Sequence, residues 1–278
     1  MGKYFNVTVK PEILVAKQDD EAWANGDVVF DWTPFDVPKG ANRLLDVTAL
    51  IRKKNGIYAN EYGFFLLYAR SINGEAPASL GTVHAGATGT GYYNNIIGKS
   101  VFLTTDYTGN QIDNMHVAGL NAGGATNDIP SVVLQGEPNS GQNVGYDTIY
   151  VACISEGAGF DFTTDVNLDD AVDVSELSAA TLTTLDGTAC NISFAPGDIL
   201  RATDDIILGE VESIDANNIT FKTDGSKVYH AGGRVLFTNP DGLANWKIQN
   251  GAGAAGDLTN NDEIFNLHPI TLKFSFER

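Results

Sequence analysis

The chain has 278 residues, and 43% of them are hydrophobic, enough for a packed core and too many for a disordered chain. Charged residues make up 19% and leave a net charge of -18, a balance that repels nucleic acid. The longest apolar run, Gly63 to Ala69, is seven residues, against the roughly 20 that a membrane-spanning helix requires.

Thirty glycines and nine prolines interrupt helices throughout, and the apolar segments between them are short and rich in Val, Ile, Phe, Tyr and Thr. That pattern predicts an all-β chain: an antiparallel β-sandwich or jelly-roll-like domain carrying an inserted small β-barrel. Tyr4 to Val9 alternates and reads as the first strand, and Val28 to Trp32 as the second. Thr33 to Gly40 holds Pro34 and Pro38 and is expected to be a loop. Arg43 to Arg52 reads as a strand before an Asn55-Gly56 hairpin signal. Gly63 to Ser71 is continuously apolar, as in a central strand buried on both faces, and Asn73-Gly74 closes it. Residues 73–100 and 109–130 are rich in Gly, Ala, Asn and Thr and are expected as long loops. Val101 to Thr105, Ser131 to Gln135 and Tyr146 to Ser155 read as further strands.

Composition then shifts. Between Asp161 and Asp215 stand 13 acidic residues and one basic residue, Arg201. Short strands at Thr181–Leu185, Asn191–Phe194, Ile199–Ala202, Ile207–Ile214, Ile219–Lys222 and Val235–Phe237 have the spacing of a small barrel. The expected division is a sandwich domain over 1–158, an acidic barrel over 159–250, and a linker and strand over 251–278 that returns to the first domain. The alternation of Ile270 to Phe276 suits a strand that pairs with the N-terminal one.

The sharpest local motif is Asp165-Val166-Asn167-Leu168-Asp169-Asp170-Ala171-Val172-Asp173-Val174-Ser175-Glu176. Its oxygens have the spacing of a calcium loop and it resembles those of EF-hands and dockerin repeats. The resemblance implies Asp165, Asn167 and Asp169 as ligands, Asp173 directly or through water, and Glu176 through both oxygens. Asp170 stands where that family has Gly, and no entering helix precedes it, so a solvated strand and turn is the competing reading. Calcium is the one cofactor the sequence suggests. His84, His116, His230 and His268 are too scattered for a zinc pair, and Gly-x-Ser-x-Gly is absent. Gly86 to Gly91 lacks the Lys and the following helix of a phosphate loop. Cys153 and Cys190 read as small buried hydrophobes. Arg52-Lys53-Lys54 is the one basic cluster, read as a solvated hairpin end or as a dock for an acidic neighbouring subunit.

Several features together resemble virion structural proteins of tailed bacteriophages, particularly of marine cyanophages. They are the Gly/Asn/Thr-rich β composition, the run Phe194-Ala195-Pro196-Gly197-Asp198-Ile199-Leu200 continuing to Leu208-Gly209-Glu210-Val211, and the closing Leu267-His268-Pro269-Ile270. The start of the chain carries no apolar leader, which agrees with assembly in a host cytoplasm. The resemblance implies a non-enzymatic capsid decoration or cement protein in the virion, bound between major capsid subunits and self-associated, with trimers favoured. The alternative is a carbohydrate- or surface-binding module that uses Trp23, Trp32, Trp246, Tyr92 and Tyr93 as a stacking platform. A calcium-dependent hydrolase ranks last.

Overall fold

The computed structural model describes residues 3–13, 18, 23–52, 63–88, 94–108, 115–120, 132–137, 145–157, 181–183, 194–202, 206–216, 218–222, 227–229, 235–237, 247–248 and 264–278. They form an all-β structure with antiparallel pairing throughout and no α-helix among the described residues. The first strands are β1 (Tyr4–Val9), β2 (Val28–Pro38), β3 (Asn42–Arg52), β4 (Phe64–Arg70), β5 (Ile96–Phe102), β6 (Tyr107–Thr108), β7 (Met115–Leu120), β8 (Val133–Leu134) and β9 (Tyr146–Ser155). After them come β10 (Thr181–Thr183), β11 (Ile199–Ala202), β12 (Ile206–Asp215), β13 (Asn218–Phe221), β14 (Lys227–Tyr229), β15 (Val235–Phe237), β16 (Lys247–Ile248), β17 (Ile264–Asn266) and β18 (Ile270–Glu277).

Two sheets build a sandwich. One runs β1-β18-β3-β7-β6, with β8 also paired to β3, and the other runs β2-β9-β4-β5. Alternation along each strand sends one row inward. Ile270, Leu272, Phe274 and Phe276 of β18 meet Phe35 and Val37 of β2, Leu66 and Tyr68 of β4, and Ile149 and Val151 of β9 in one core. The Phe274 ring joins the sheets: it stacks on Phe35 at 5.1 Å and takes the edge of Tyr68 at 6.0 Å. The second sheet is also covered outside. Val28, Leu80, Ala152 and Ile154 form a second buried cluster, with Trp32, Phe65 and Leu67 packed against it. Successive β4 residues therefore feed two different cores, which is why Phe64 to Ala69 is apolar without alternation.

Two expectations change. Thr33 to Pro38 is not a loop but the continuation of β2, with Pro34 opposite Tyr150 and Pro38 opposite Tyr146. β2 is an edge strand, and an edge tolerates residues that lack an N–H. The expected loops 73–100 and 109–130 contain β5 and β7. In the region read as a small barrel, the described strands form a five-stranded sheet, β10-β13-β12-β11-β17, and a three-stranded one, β14-β15-β16. Phe194, Leu200, Val211, Ile219, Phe221 and Phe265 are buried there. Its Ala195-Pro196-Gly197-Asp198 turn has Pro before a Gly at φ +90°, the arrangement a type II turn demands. The proposed boundaries at 158/159 and 250/251 involve residues outside the described set.

Strands near the two ends of the chain are neighbours. β1 pairs with β18 from Tyr4↔Glu277 to Val9↔Leu272, and β18 pairs with β3. The five-stranded sheet is therefore reached from, and left for, the same sandwich.

Candidate functional site

Calcium candidates Asp165, Asn167, Asp169, Asp173 and Glu176 lie outside the described residues, as do Lys53, Lys54, Tyr92, Tyr93, Trp246, His230 and Cys190. Among the described residues, no three His, Cys, Asp or Glu side chains converge as metal ligands.

Arg52 closes β3 and turns to its own chain: its Nη2 lies 2.9 Å from Asp198 Oδ1. Asp198 also accepts the Ala195 N–H through Oδ2 at 2.9 Å, so one carboxylate holds the Pro-Gly turn and receives the sandwich's arginine. Trp23 leaves the stacking platform, because it is fully buried. Its indole N–H donates to the Val28 carbonyl at 3.1 Å and its ring stacks on His84 at 4.5 Å. Trp32 is half-buried and donates to the Ala78 carbonyl at 2.9 Å. Both tryptophans thus hold residues 75–88 flat against the second sheet. Backbone bonds do the rest: Val28 N–H to Ala85 O, His84 N–H to Val28 O, and Ala87 N–H to Gly26 O.

His116, Cys153 and His268 are likewise packed or bonded within the fold. His116 is buried in β7 with Tyr107 edge-on at 5.8 Å, where a Gly-rich loop was expected. Cys153 is buried in β9, and burial pushes its thiol well above the usual range, so it carries no thiolate at neutral pH. His268 Nδ1–H donates to the Pro11 carbonyl at 3.0 Å. Burial holds its pKa below the ordinary histidine value; the Pro11 bond and Glu12 oppose that shift, while Lys10 and Arg201 add to it.

A polar junction that sequence reasoning missed surrounds His268. Arg201 is almost fully buried and pairs with Glu12. Gln18 donates to the Ile13 carbonyl at 2.6 Å and to the Asn266 carbonyl at 3.0 Å. Ile13 N–H reaches Leu267 O at 3.1 Å. These bonds fasten the segment after β1 to β11 and β17. The one available signal was Arg201 itself, alone among 13 carboxylates and flanked by apolar residues.

The first sheet turns its other face outward. Tyr4, Asn6 and Thr8 of β1 lie beside Glu277, Ser275 and Lys273 of β18, which in turn lie beside Arg43, Asp46 and Thr48 of β3. Burial raises the Asp46 pKa against the bonds it accepts from the Thr48 hydroxyl and the Val47 N–H. Among the described residues no strand pairs with the far side of β1. Lys3 and Arg278 exchange backbone hydrogen bonds at 3.3 and 3.0 Å, so by alternation Phe5, Val7 and Val9 are the residues bonded to β18. Tyr4, Asn6 and Thr8 consequently aim their N–H and C=O groups at the open edge. Their side chains are exposed, Tyr4 by 72%, while Phe5 and Val7 are only half-buried.

No known family model and no curated protein sequence matches this chain.

Proposed function

We propose that this chain is a non-enzymatic structural protein of a tailed-phage particle, a decoration or cement protein of the capsid that works through protein surfaces. The observation that carries the reading is the segment 75–88. A stretch rich in Gly and Ala is held against the second sheet by Trp23, Trp32 and a run of backbone bonds. A long surface segment ordered before it meets a partner spares that contact the entropy of ordering it. The acidic charge of -18 keeps such a protein soluble and away from packaged DNA. Self-association and binding to major capsid subunits follow from the same reading.

The test is binding to particles. Tagged protein mixed with phage heads from its source is expected to co-sediment at a fixed number per head and to raise their resistance to heat. Heads that neither contain nor take up the chain overturn the proposal.

A further inference from the structure

We infer that the free edge of β1 is a self-association site, where a second copy of the chain adds its own β1 antiparallel across a two-fold axis at Asn6. This rests on the self-association part of the function proposed above and names the contact.

Among the described residues the two sheet orders end in β1, β6, β2 and β5, and all of these but β1 are guarded. β2 carries Pro34, Pro38, Asp31 and Asp36 and has two register shifts. β5 contains Lys99, bulges opposite Tyr68 and Ala69, and has Val132 lying against Gly98. β6 is two residues long. Prolines, charges, bulges and shortness are the means by which sheets prevent edge pairing. β1 has none of them: Tyr-Phe-Asn-Val-Thr-Val is six residues with no charge, no Pro and no Gly. Its register with β18 is unbroken over all six.

The charge pattern favours a second copy as occupant. Two chains of -18 repel each other over most of their surfaces. Lys3 to Lys10 contains no acidic residue and ends in a cation at either side, so two copies approach along this strand with little like-charge repulsion from it. The strand is also complementary to itself. Antiparallel pairing centred on Asn6 sets Asn6 against Asn6 and Tyr4 against Thr8 of the other copy. These are the residues whose backbone groups face outward, and the pairing satisfies all of them. It also sets Phe5 against Val7 on the inner face, covering two core side chains that are half-exposed in the single chain. A two-fold contact makes pairs, so the trimers suggested by composition would need a different surface.

The experiment uses the full chain. Light scattering after size exclusion is expected to show a dimer. Asn6→Pro removes an N–H that faces only the open edge and leaves the β1–β18 ladder intact. It is expected to weaken dimerisation about tenfold or more with little change in thermal stability. Asn6→Cys supplies a readout that does not depend on how proline is tolerated. Residues facing each other as a hydrogen-bonded pair have Cα atoms about 5.5 Å apart, within disulfide range. Mild oxidation is expected to cross-link Asn6→Cys into a covalent dimer and to leave Tyr4→Cys without a cross-link. A chain monomeric at all concentrations, whose Asn6→Cys variant forms no cross-link, overturns the seam. So does a dimer that survives Asn6→Pro and links equally through Tyr4→Cys. A monomer that still co-sediments with phage heads would remove the seam and leave the particle role standing.

Discussion

Tyr68 and Cys153 are ionisable side chains placed where ionisation is penalised. Tyr68 is wholly buried with its hydroxyl 3.0 Å from Ser100 Oγ, and burial pushes its phenol far above the ordinary tyrosine value. Cys153, on the neighbouring strand, is raised for the same reason. In the unfolded chain these groups lose protons near pH about 8.5 and about 10; in the folded chain they keep them. The folded state therefore binds more protons above those values. Its stability is complete below pH ~8 and is lost as pH rises past them. Urea-unfolding midpoints are expected to fall steeply from pH ~9 to ~11, and the double variant Tyr68→Phe, Cys153→Ala is expected to flatten that fall. Trp23→Ala should cost about 3–5 kcal/mol in equilibrium unfolding, because it opens a cavity and releases both the Val28 carbonyl and the His84 ring. Cys153 is readable as interior from its apolar neighbours. Trp23 is not: its surroundings in sequence, Ala22 and Ala24-Asn25-Gly26, resemble an exposed turn. Its ring packs into the core and stacks on His84, some sixty positions later, at φ +61°. Local pattern cannot report a partner that distant.

Strands are legible where a single period governs them. β18 alternates because it has one core face and one open face, and its limits follow closely from that pattern. β4 reads as doubly buried because it lacks that alternation. β2 reads too short because two prolines outweigh the apolar residues around them. The missing fact is its place at a sheet edge, a property of the assembled sheet. β5 and β7 are hidden by glycines. Gly98 shows why one is there: a Cβ at that position would lie 2.4 Å from Val132 Cγ1. The β5 backbone thus passes directly beneath the residue that leads into β8. Gly98→Ala is expected to destabilise the fold by about 1–3 kcal/mol. Combined with Val132→Ala, which clears the space, it should cost less than the sum of the single changes. A double-mutant cycle in urea measures this, and strict additivity would show that the close approach is not what excludes a side chain. The candidate calcium residues and Tyr92, Tyr93 and Trp246 lie outside the described set, so of the interaction residues Arg52 is the one the structure places, and its partner Asp198 stands 146 positions away.

Across the whole molecule the deciding quantity is charge. Thirty-five carboxylates against 17 cations leave -18 on one chain. Some of the opposite charges are paired: Arg52 with Asp198, Arg201 with Glu12, and Lys222 with Glu210. These pairs draw cations together with acids that would otherwise repel their neighbours, but the excess is untouched. Self-repulsion of this kind disfavours the compact state, since unfolding moves like charges apart. Salt acts on both contributions with opposite signs. Lys222–Glu210 is exposed and worth little in any salt, so its screening costs little. Arg201 is nearly dry and weakly screened. The repulsion is spread over the surface at long range, where screening is strongest, as the Debye length shrinks from about 30 Å at 0.01 M to about 8 Å at 0.15 M. Repulsion therefore loses more than attraction does, and sodium chloride is expected to raise the melting temperature over this range. Scanning calorimetry at neutral pH checks it, with sucrose as the uncharged control. The rise should be steepest at low ionic strength and should level off once the Debye length falls below the spacing of surface charges. A melting temperature that falls with salt would mean the ion pairs joining the two parts of the chain outweigh the repulsion, and Arg52→Ala would then have to abolish the fall.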